Sequence, residues 1–247
     1  MICDSHCHLK HGDRDKTEYT PSQIVEVMDG AGIDKTVVFA MSTTSVAATE
    51  FAARAKKEFP ARLIPYAYAI PHIETSALRE VERAVSELGF PGIKVHGGET
   101  KLVPHIIDPI FELAAKLEVP CLVDFIGNVE HTSRILETFP KTKIIIAHFG
   151  KYLCTDRNLV DRFIELAEKH ENAILDTSGV VLPWKITEAI ARVGSDRVTF
   201  GIDGPHPYPT QVEYARNEIA RVKSLNLSET DSDNLFWNTI ARLLRLS

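Results

Sequence analysis

Short apolar segments rich in β-branched residues alternate eight times with longer amphipathic segments, and this alternation limits the possible folds more than any other feature. It is typical of repeated βα units around a parallel sheet. Some short segments, such as Val37–Ala40, are apolar on both faces, as expected of strands buried between helices and a barrel interior. The predicted strands are Ile2–His8, Thr36–Met41, Leu63–Ala69, Gly92–His96, Cys121–Phe125, Lys143–His148, Ala173–Thr177 and Arg197–Asp203.

The amphipathic segments are predicted to be helices that cover the outside of the sheet. The predicted helices are Pro21–Gly30, Val46–Glu58, Ser76–Leu88, Ile107–Leu117, Val129–Thr138, Leu159–Lys169, Ile186–Val193 and Gln211–Leu225. A final segment, Asn234–Leu244, carries Phe236, Ile240 and Leu243 along one stripe. We therefore expect an extra C-terminal helix that packs onto the finished barrel.

Eight strands, each followed by a helix, within 247 residues predict an α/β fold of the (β/α)8 TIM-barrel type. A doubly wound open sheet has the same alternation and stays open as an alternative. Neither GxGxxG nor GxxxxGK[ST] follows the first predicted strand, so a nucleotide site in an open sheet is not indicated. We assign residues 1–247 to one barrel domain.

The charge balance narrows the class of partner. Lys and Arg total 28 against 34 Asp and Glu, a formal net charge of −6 without a basic run, so neither nucleic acid nor an anionic membrane is indicated. No segment reaches the ~20 apolar residues of a membrane span, and no signal peptide is recognisable. We expect a cytoplasmic protein with a small-molecule partner, and homo-oligomerisation stays open.

The first predicted strand contains two histidines two residues apart. Period-two alternation would place Asp4, His6 and His8 on one face, with Cys3 and Cys7 directed toward the helices. Two imidazoles side by side at the end of an inner strand indicate a functional site rather than ordinary core packing. The four cysteines form no CxxC pair and are expected to be buried thiols.

Polar residues also end the later strands, where side chains meet at one mouth of a barrel. They are Lys94, His96, Asp124, His148, Asp176 and Asp203. Several buried ionisable groups in one place require compensation, and a divalent cation is the simplest form of it. Asp176 precedes Thr177 and Ser178 and is interpreted as a loop anchor. Tyr152 and Trp184 are interpreted either as packing residues or as a cover over the substrate.

Five motifs in fixed order run along the chain. They are DSHCH (Asp4–His8), GIKVH (Gly92–His96), ETFPKTKIIIAHFG (Glu137–Gly150), FGIDGPHP (Phe200–Pro207) and NLFWNTIARLL (Asn234–Leu244). This series resembles the amidohydrolase superfamily, in particular the amidohydrolase-2 branch that includes aminocarboxymuconate-semialdehyde decarboxylase. The resemblance implies a distorted barrel and a divalent metal held by His6, His8 and Asp203, with His148 positioning or activating water. TatD-type nucleases share the opening motif but are the weaker match.

The chain departs from this family at the fifth strand. Related sequences usually have a histidine there, whereas this chain reads PCLVDFIGN and offers Asp124. We predict that Asp124 is a metal ligand together with His6, His8 and Asp203, because a carboxylate is a competent oxygen ligand. In the alternative, Asp124 orients a ligating histidine through a hydrogen bond. Zn²⁺ is the expected ion and Mn²⁺ the alternative.

These residues lead to the hypothesis of a metal-dependent hydrolase. A metal-activated water would attack a lactone, amide or other carbonyl centre, and Asp203 or His148 would accept its proton. Lys94 and His96 would bind an anionic substrate group or the developing oxyanion. Two alternatives stay open: a non-oxidative decarboxylase of the same branch, and a ligand-binding barrel without turnover.

Overall fold

The structure is a computed structural model that describes residues 1–12, 17–71 and 76–246. Within these ranges, parallel strands form two sheets, of order β1-β2-β3 and β4-β5-β6-β7-β8-β9. The strands are β1 (Cys3–Leu9), β2 (Lys35–Ala40), β3 (Leu63–Pro65), β4 (Ala67–Tyr68), β5 (Ile93–His96), β6 (Cys121–Asp124), β7 (Ile144–Ile146), β8 (Ala173–Asp176) and β9 (Val198–Thr199).

The two sheets join at β3 and β4, which the sequence predicts as one strand, Leu63–Ala69. That strand is divided at Tyr66, whose N–H donates to the Val38 carbonyl, while the Ala67 N–H donates to the Gly92 carbonyl (both 2.9 Å). The first part, β3, thus pairs with β2, and the second part, β4, pairs with β5, as the stagger of a closed barrel requires. The prediction of a single regular strand is corrected accordingly.

The barrel closes between β1 and the segment after β9. The Ser5 N–H donates to the Phe200 carbonyl at 2.8 Å, and the Asp203 N–H donates to the His6 carbonyl at 2.7 Å. Of the predicted strand Arg197–Asp203, only β9 is regular, although the remaining residues still run beside β1. The architecture is the predicted distorted (β/α)8 barrel.

Helices follow the strands as predicted, with ends that differ by a few residues. They are α1 (Pro21–Ala31), α2 (Ser45–Glu58), α3 (Ser76–Ser86), α4 (Pro104–Leu117), α5 (Val129–Thr138), α6 (Arg157–Lys169), α7 (Trp184–Val193), α8 (Gln211–Lys223), α9 (Glu229–Asp233) and α10 (Thr239–Leu244). Local sequence sets several starts: Thr20 and Gln23 form a reciprocal capping box at α1. None of the helices within the described ranges combines the length and apolarity needed to cross a membrane.

The C-terminal segment differs from the single predicted helix Asn234–Leu244. A π-helical turn, Asn234–Asn238, connects α9 to α10. The Leu235 carbonyl in this turn accepts the Phe200 N–H at 3.0 Å. Ile240 and Leu244 belong to the same buried apolar cluster as the interior strand residues. The segment therefore packs onto the barrel, as predicted for the extra helix, and it covers the amino-terminal end.

A β-bulge in β1 interrupts the strict alternation of side chains that the sequence predicts. Asp4 pairs with Thr36 and Cys7 pairs with Val38, so Ser5 and His6 together face a single residue of β2. Because of the extra residue, side chains that precede the bulge lie on the opposite face of the strand from the one that strict alternation predicts. His6 and His8 still face the barrel interior, but Asp4 no longer shares their face.

The two cysteines of β1 consequently lie on opposite sides of the barrel wall. Cys3 packs in the interior cluster with Phe39, whereas Cys7 lines a small cavity with Asp4 and with Met28 of α1. The expectation that both cysteines point toward the helices is thus wrong for Cys3. Burial raises the pKa of both thiols, which favours their neutral S–H form.

Candidate metal centre

Three predicted ligands converge at the carboxyl-terminal mouth of the barrel. The Nε2 atoms of His6 and His8 lie 3.2 and 2.8 Å from the same Oδ1 atom of Asp203. Donors bound to one ion at 2.0–2.2 Å are about 3–3.5 Å apart, so the spacing fits a shared cation. Two imidazole nitrogens and a carboxylate oxygen are donors that suit Zn²⁺ or Mn²⁺. His6, His8 and Asp203 therefore fit a divalent metal.

The protonation states suit this role. Burial lowers the pKa of His6 well below its usual value and also lowers the pKa of His8, which favours the neutral imidazole that metals bind. Burial disfavours the Asp203 carboxylate, but the imidazoles of His6 and His8 outweigh this and hold the pKa of Asp203 below its usual range. The site thus offers two neutral nitrogens and one anionic oxygen.

Asp203 and His148 both have unusual backbone conformations. Their φ angles are +63° and +59°, in the left-handed region that few residues other than glycine occupy. His148 lies in a 3₁₀ turn, Ala147–Gly150, that replaces the end of the predicted strand Lys143–His148. Such local strain is typical of functional positions, where the surrounding structure holds it in place.

Asp176, at the end of β8, holds the other face of His6. Its Oδ2 lies 3.0 Å from His6 Nδ1 and also accepts the Ser178 hydroxyl, while its Oδ1 accepts the Ser5 hydroxyl at 3.1 Å. The side chain of Asp176 is completely buried. Since a carboxylate accepts the Nδ1 proton, His6 Nε2 is left free to bind a metal. Asp176 does hold the loop after β8 through Ser178, as the sequence suggested, and it also orients His6. The second role was missed, although the position of Asp176 at a strand end among other polar residues was the available signal.

His148 is fixed in a similar way. Its Nδ1 lies 3.0 Å from the Ser178 carbonyl, which can only accept, so Nδ1 carries a proton. The ring stacks on His6 with 4.8 Å between ring centroids. The Nε2 atom lies 3.6 Å from Asp124 Oδ2. The Nε2 edge of His148 thus faces Asp124.

Asp124 is not among the groups of three or more close potential ligands in the described ranges. Its Oδ2 lies 3.2 Å from His96 Nε2, and its Oδ1 accepts the Ile126 N–H at 2.8 Å. Burial opposes ionisation of Asp124, but the His96 hydrogen bond and the charges of His148 and Lys94 hold its pKa below the usual range. The structure places Asp124 in a cluster with His96 and His148, beside His6, His8 and Asp203.

Lys94 is completely buried beneath these groups. Its Nζ lies 3.1 Å from His6 Nε2 and 4.7 Å from the centre of the Phe39 ring. Burial lowers the pKa of Lys94, although the carboxylates of Asp124 and Asp203 oppose this shift. Lys94 thus adds positive charge next to His6 whenever it is protonated.

A cavity of ≈260 Å³ opens above Asp203 and His8. Its lining residues are His8, Leu9, Lys10, Met41, Ser42, Tyr152, Asp203, Pro205 and His206. Among the residues that the structure describes, neither Lys94 nor His96 lines this cavity. Of the two aromatic candidates, Tyr152 lines the cavity, whereas the Trp184 ring contacts the Arg157 guanidinium at 5.4 Å.

A comparison with curated proteins identifies a related enzyme. Gamma-resorcylate decarboxylase from Polaromonas sp. is 25% identical to this chain over 257 residues. The alignment covers 83% of this chain and 77% of that protein. The similarity therefore extends over most of the barrel.

Solved structures share the fold. A dihydroxybenzoic acid decarboxylase from Polaromonas sp., solved with manganese and the inhibitor 2-nitroresorcinol, has a TM-score of 0.73 at 20% identity, covering 99% of this chain and 97% of that chain. A 5-carboxyvanillate decarboxylase from Novosphingobium aromaticivorans, solved with manganese and 4-hydroxy-3-methoxy-5-nitrobenzoic acid, has a TM-score of 0.76 at 16% identity, covering 100% and 96%. A family model described as amidohydrolase matches residues 3–246, nearly the whole chain. The chain therefore belongs to the amidohydrolase family, in its amidohydrolase-2 branch.

Proposed function

We propose that this protein is a divalent-metal-dependent decarboxylase that releases CO₂ from a hydroxylated aromatic acid. The similarity to gamma-resorcylate decarboxylase supports this reaction over the hydrolysis that the sequence first suggested. The single structural observation that carries the proposal is the convergence of His6, His8 and Asp203 on one point, with His8 and Asp203 lining the mouth cavity. A set of three metal donors beside an open cavity also favours an enzyme over a ligand-binding barrel without turnover.

In this proposal His6, His8 and Asp203 hold Mn²⁺, with Zn²⁺ as the alternative. When bound, the ion supplies a fixed positive charge that attracts and orients the carboxylate and hydroxyl oxygens of the substrate. Asp176 maintains the His6 tautomer that leaves Nε2 available. Lys94 and His96 remain the proposed partners of negative charge on the substrate, although neither lines the cavity: Lys94 lies 3.1 Å from His6 Nε2, and His96 connects to His148 through Asp124.

The reaction requires one proton on the ring carbon that carries the carboxylate. We assign its delivery to His148, whose Nδ1 is fixed by the Ser178 carbonyl and whose Nε2 is exchangeable. A C–H bond forms, the C–C bond to the carboxylate breaks, its electron pair restores the aromatic ring, and CO₂ leaves. The Asp124 carboxylate, 3.6 Å from Nε2, stabilises the imidazolium before transfer. A proton from water then restores His148.

The test is a panel of candidate substrates given to Mn²⁺-loaded and Zn²⁺-loaded protein. The panel contains hydroxybenzoates, other carboxylated aromatics, lactones and amides, and both CO₂ and the products of hydrolysis are measured. We expect CO₂ from at least one hydroxybenzoate, and none from a folded His6→Ala/His8→Ala double variant that lacks metal. Hydrolysis of a lactone or amide without CO₂ release from any aromatic acid would contradict the proposal.

A further inference from the structure

Tyr152 lies at the edge of the mouth cavity and has no role in the proton transfer described above. It follows the 3₁₀ turn that carries His148, and its ring meets the His148 ring edge-on with 5.1 Å between centroids. It lines the same cavity as His8 and Asp203 and is 39% exposed. A large aromatic side chain therefore forms a wall directly beside the reacting groups.

The backbone below keeps the Tyr152 ring in place. Gly179 has a φ of +61°, and a Cβ at this position would lie 2.5 Å from Cδ2 of the Tyr152 ring. The ring thus rests directly on the Gly179 backbone, with the His148 ring on another side. A side chain confined in this way loses little conformational freedom when a ligand binds against it.

The hydroxyl of Tyr152 has no hydrogen-bond partner among the residues that the structure describes. Burial raises the pKa of Tyr152, and the negative charges of Asp203 and Glu218 raise it further, so the phenol remains a neutral O–H donor at physiological pH. The side chain therefore offers an apolar ring face and an unused donor at one edge of the cavity. An aromatic ligand with an anionic oxygen complements both features.

We propose that Tyr152 is a substrate-contact residue that packs against the aromatic ring and donates a hydrogen bond to an anionic oxygen of the substrate. This inference rests on the proposed function, because it identifies the residue that favours a ring-bearing acid over an aliphatic one. Two other aromatic residues do not fit the role: Trp184 contacts Arg157, and Tyr208 is 86% exposed and outside the cavity lining.

The experiment measures binding of 2-nitroresorcinol, in which a nitro group replaces the carboxylate so that no CO₂ can leave. Mn²⁺-loaded wild type, Tyr152→Phe and Tyr152→Leu are titrated by calorimetry, with Tyr208→Phe as the matched control. Loss of the hydrogen bond should raise the Kd of Tyr152→Phe about tenfold. Loss of the ring as well should raise the Kd of Tyr152→Leu further, while Tyr208→Phe binds like wild type.

Metal content and thermal unfolding of each variant verify that the fold and the ion are retained. If Tyr152→Phe and Tyr152→Leu both bind within about twofold of wild type, the inference about Tyr152 is overturned, even when the wild type releases CO₂ from a hydroxybenzoate. If the wild type neither binds 2-nitroresorcinol nor releases CO₂ from any aromatic acid, the proposed function itself fails and the inference fails with it. The two failures are therefore distinguishable.

Discussion

The imidazole of His6 is constrained at both of its nitrogens. Nδ1 faces the Asp176 carboxylate at 3.0 Å, and Nε2 lies close to both Asp203 and Lys94. Because the ring is completely buried, neither nitrogen has water as an alternative partner. The orientation of His6 as a ligand is therefore fixed before a metal binds, and the contact with Asp176 contributes much to fixing it.

Removing the charge of Asp176 should weaken metal binding without unfolding the barrel. An Asp176→Asn variant keeps the volume but accepts the Nδ1 proton less well, so we expect the affinity for Mn²⁺ to fall about 10- to 100-fold. A competition titration against a fluorescent chelator measures this. Asp156→Asn is the control, because Asp156 caps α6 and asparagine caps equally well. Unchanged affinity in Asp176→Asn would exclude the orienting role.

Asp124 allows a sharper separation between binding a metal and supporting proton transfer. Because Asp124 contacts His96 and His148 rather than His6 or His8, we expect Asp124→Ala to weaken metal binding by about tenfold, the lower end of the effect of residues that orient ligands, and Asp203→Ala to weaken it far more. Decarboxylation by Asp124→Ala should fall about 100-fold, the scale of general acid–base catalysis. Complete loss of metal from Asp124→Ala would instead make Asp124 a ligand.

The sequence predicted part of this arrangement. The predicted strands brought His6, His8 and Asp203 to one mouth of the barrel, and the family resemblance implied that these three residues bind the metal. The roles of Asp124 and Asp176 depend on which side chains face them from neighbouring strands, and strand periodicity alone does not specify these partners. The faces of Cys3 and Asp4 were wrongly predicted because one bulge residue reverses the alternation.

Among the secondary-structure elements, the connection from β7 to α6 controls the position of His148. Gly150 ends the 3₁₀ turn with a φ of +99°, and a Cβ there would overlap the Phe163 ring of α6. The turn can therefore approach the helix only if residue 150 is glycine. Close approach at this point brings His148 over His6.

Gly150→Ala should consequently destabilise the protein by about 3 kcal/mol or more, because a left-handed conformation and an overlap in the core act together. Gly32→Ala is the matched control: Gly32 has a φ of +76° but no atom within 4 Å of the added Cβ. We expect it to cost about 1 kcal/mol. Equal unfolding free energies for the two variants in urea titrations would show that the contact with Phe163 is unimportant.

The order of strands and helices was predictable because each element buries an apolar face of its own period. The division of Leu63–Ala69 into β3 and β4 was not, since it reflects the stagger between neighbouring strands. The π-helical turn Asn234–Asn238 was likewise invisible to periodicity, because it is linked to a backbone hydrogen bond from Phe200. Elements were predicted by local pattern, and their irregularities depend on tertiary contacts.

At the scale of the whole molecule, the buried histidines link stability to pH. The pKa values of His6 and His8 are lowered from 6.5 in the fold, so their contribution to stability is present above about pH 6.5 and is lost as pH falls. The lowered pKa values of Asp124 and Asp203 act in the same direction at lower pH. The mouth of the barrel is therefore least stable in acid when no metal is bound.

We expect the unfolding free energy of metal-free protein to decrease between pH 7.5 and 5.5, by up to about 1 kcal/mol per pH unit for each histidine. In His6→Gln this decrease should be smaller, whereas His131→Gln on α5 should match wild type. Saturating Mn²⁺ should raise stability most at high pH, where protons compete least for the ligands. A pH dependence identical in wild type and His6→Gln would contradict this account.

The most direct test of the central claim is the reaction of Mn²⁺-loaded protein with 2,6-dihydroxybenzoate in D₂O. Decarboxylation at this site predicts one CO₂ for each resorcinol formed, with a single deuterium on the carbon that carried the carboxylate. The His6→Ala/His8→Ala variant should form neither product. Equal CO₂ release by the double variant would contradict the claim of a metal-dependent decarboxylase, and so would a metal-loaded wild type that releases CO₂ neither from 2,6-dihydroxybenzoate nor from any other hydroxybenzoate.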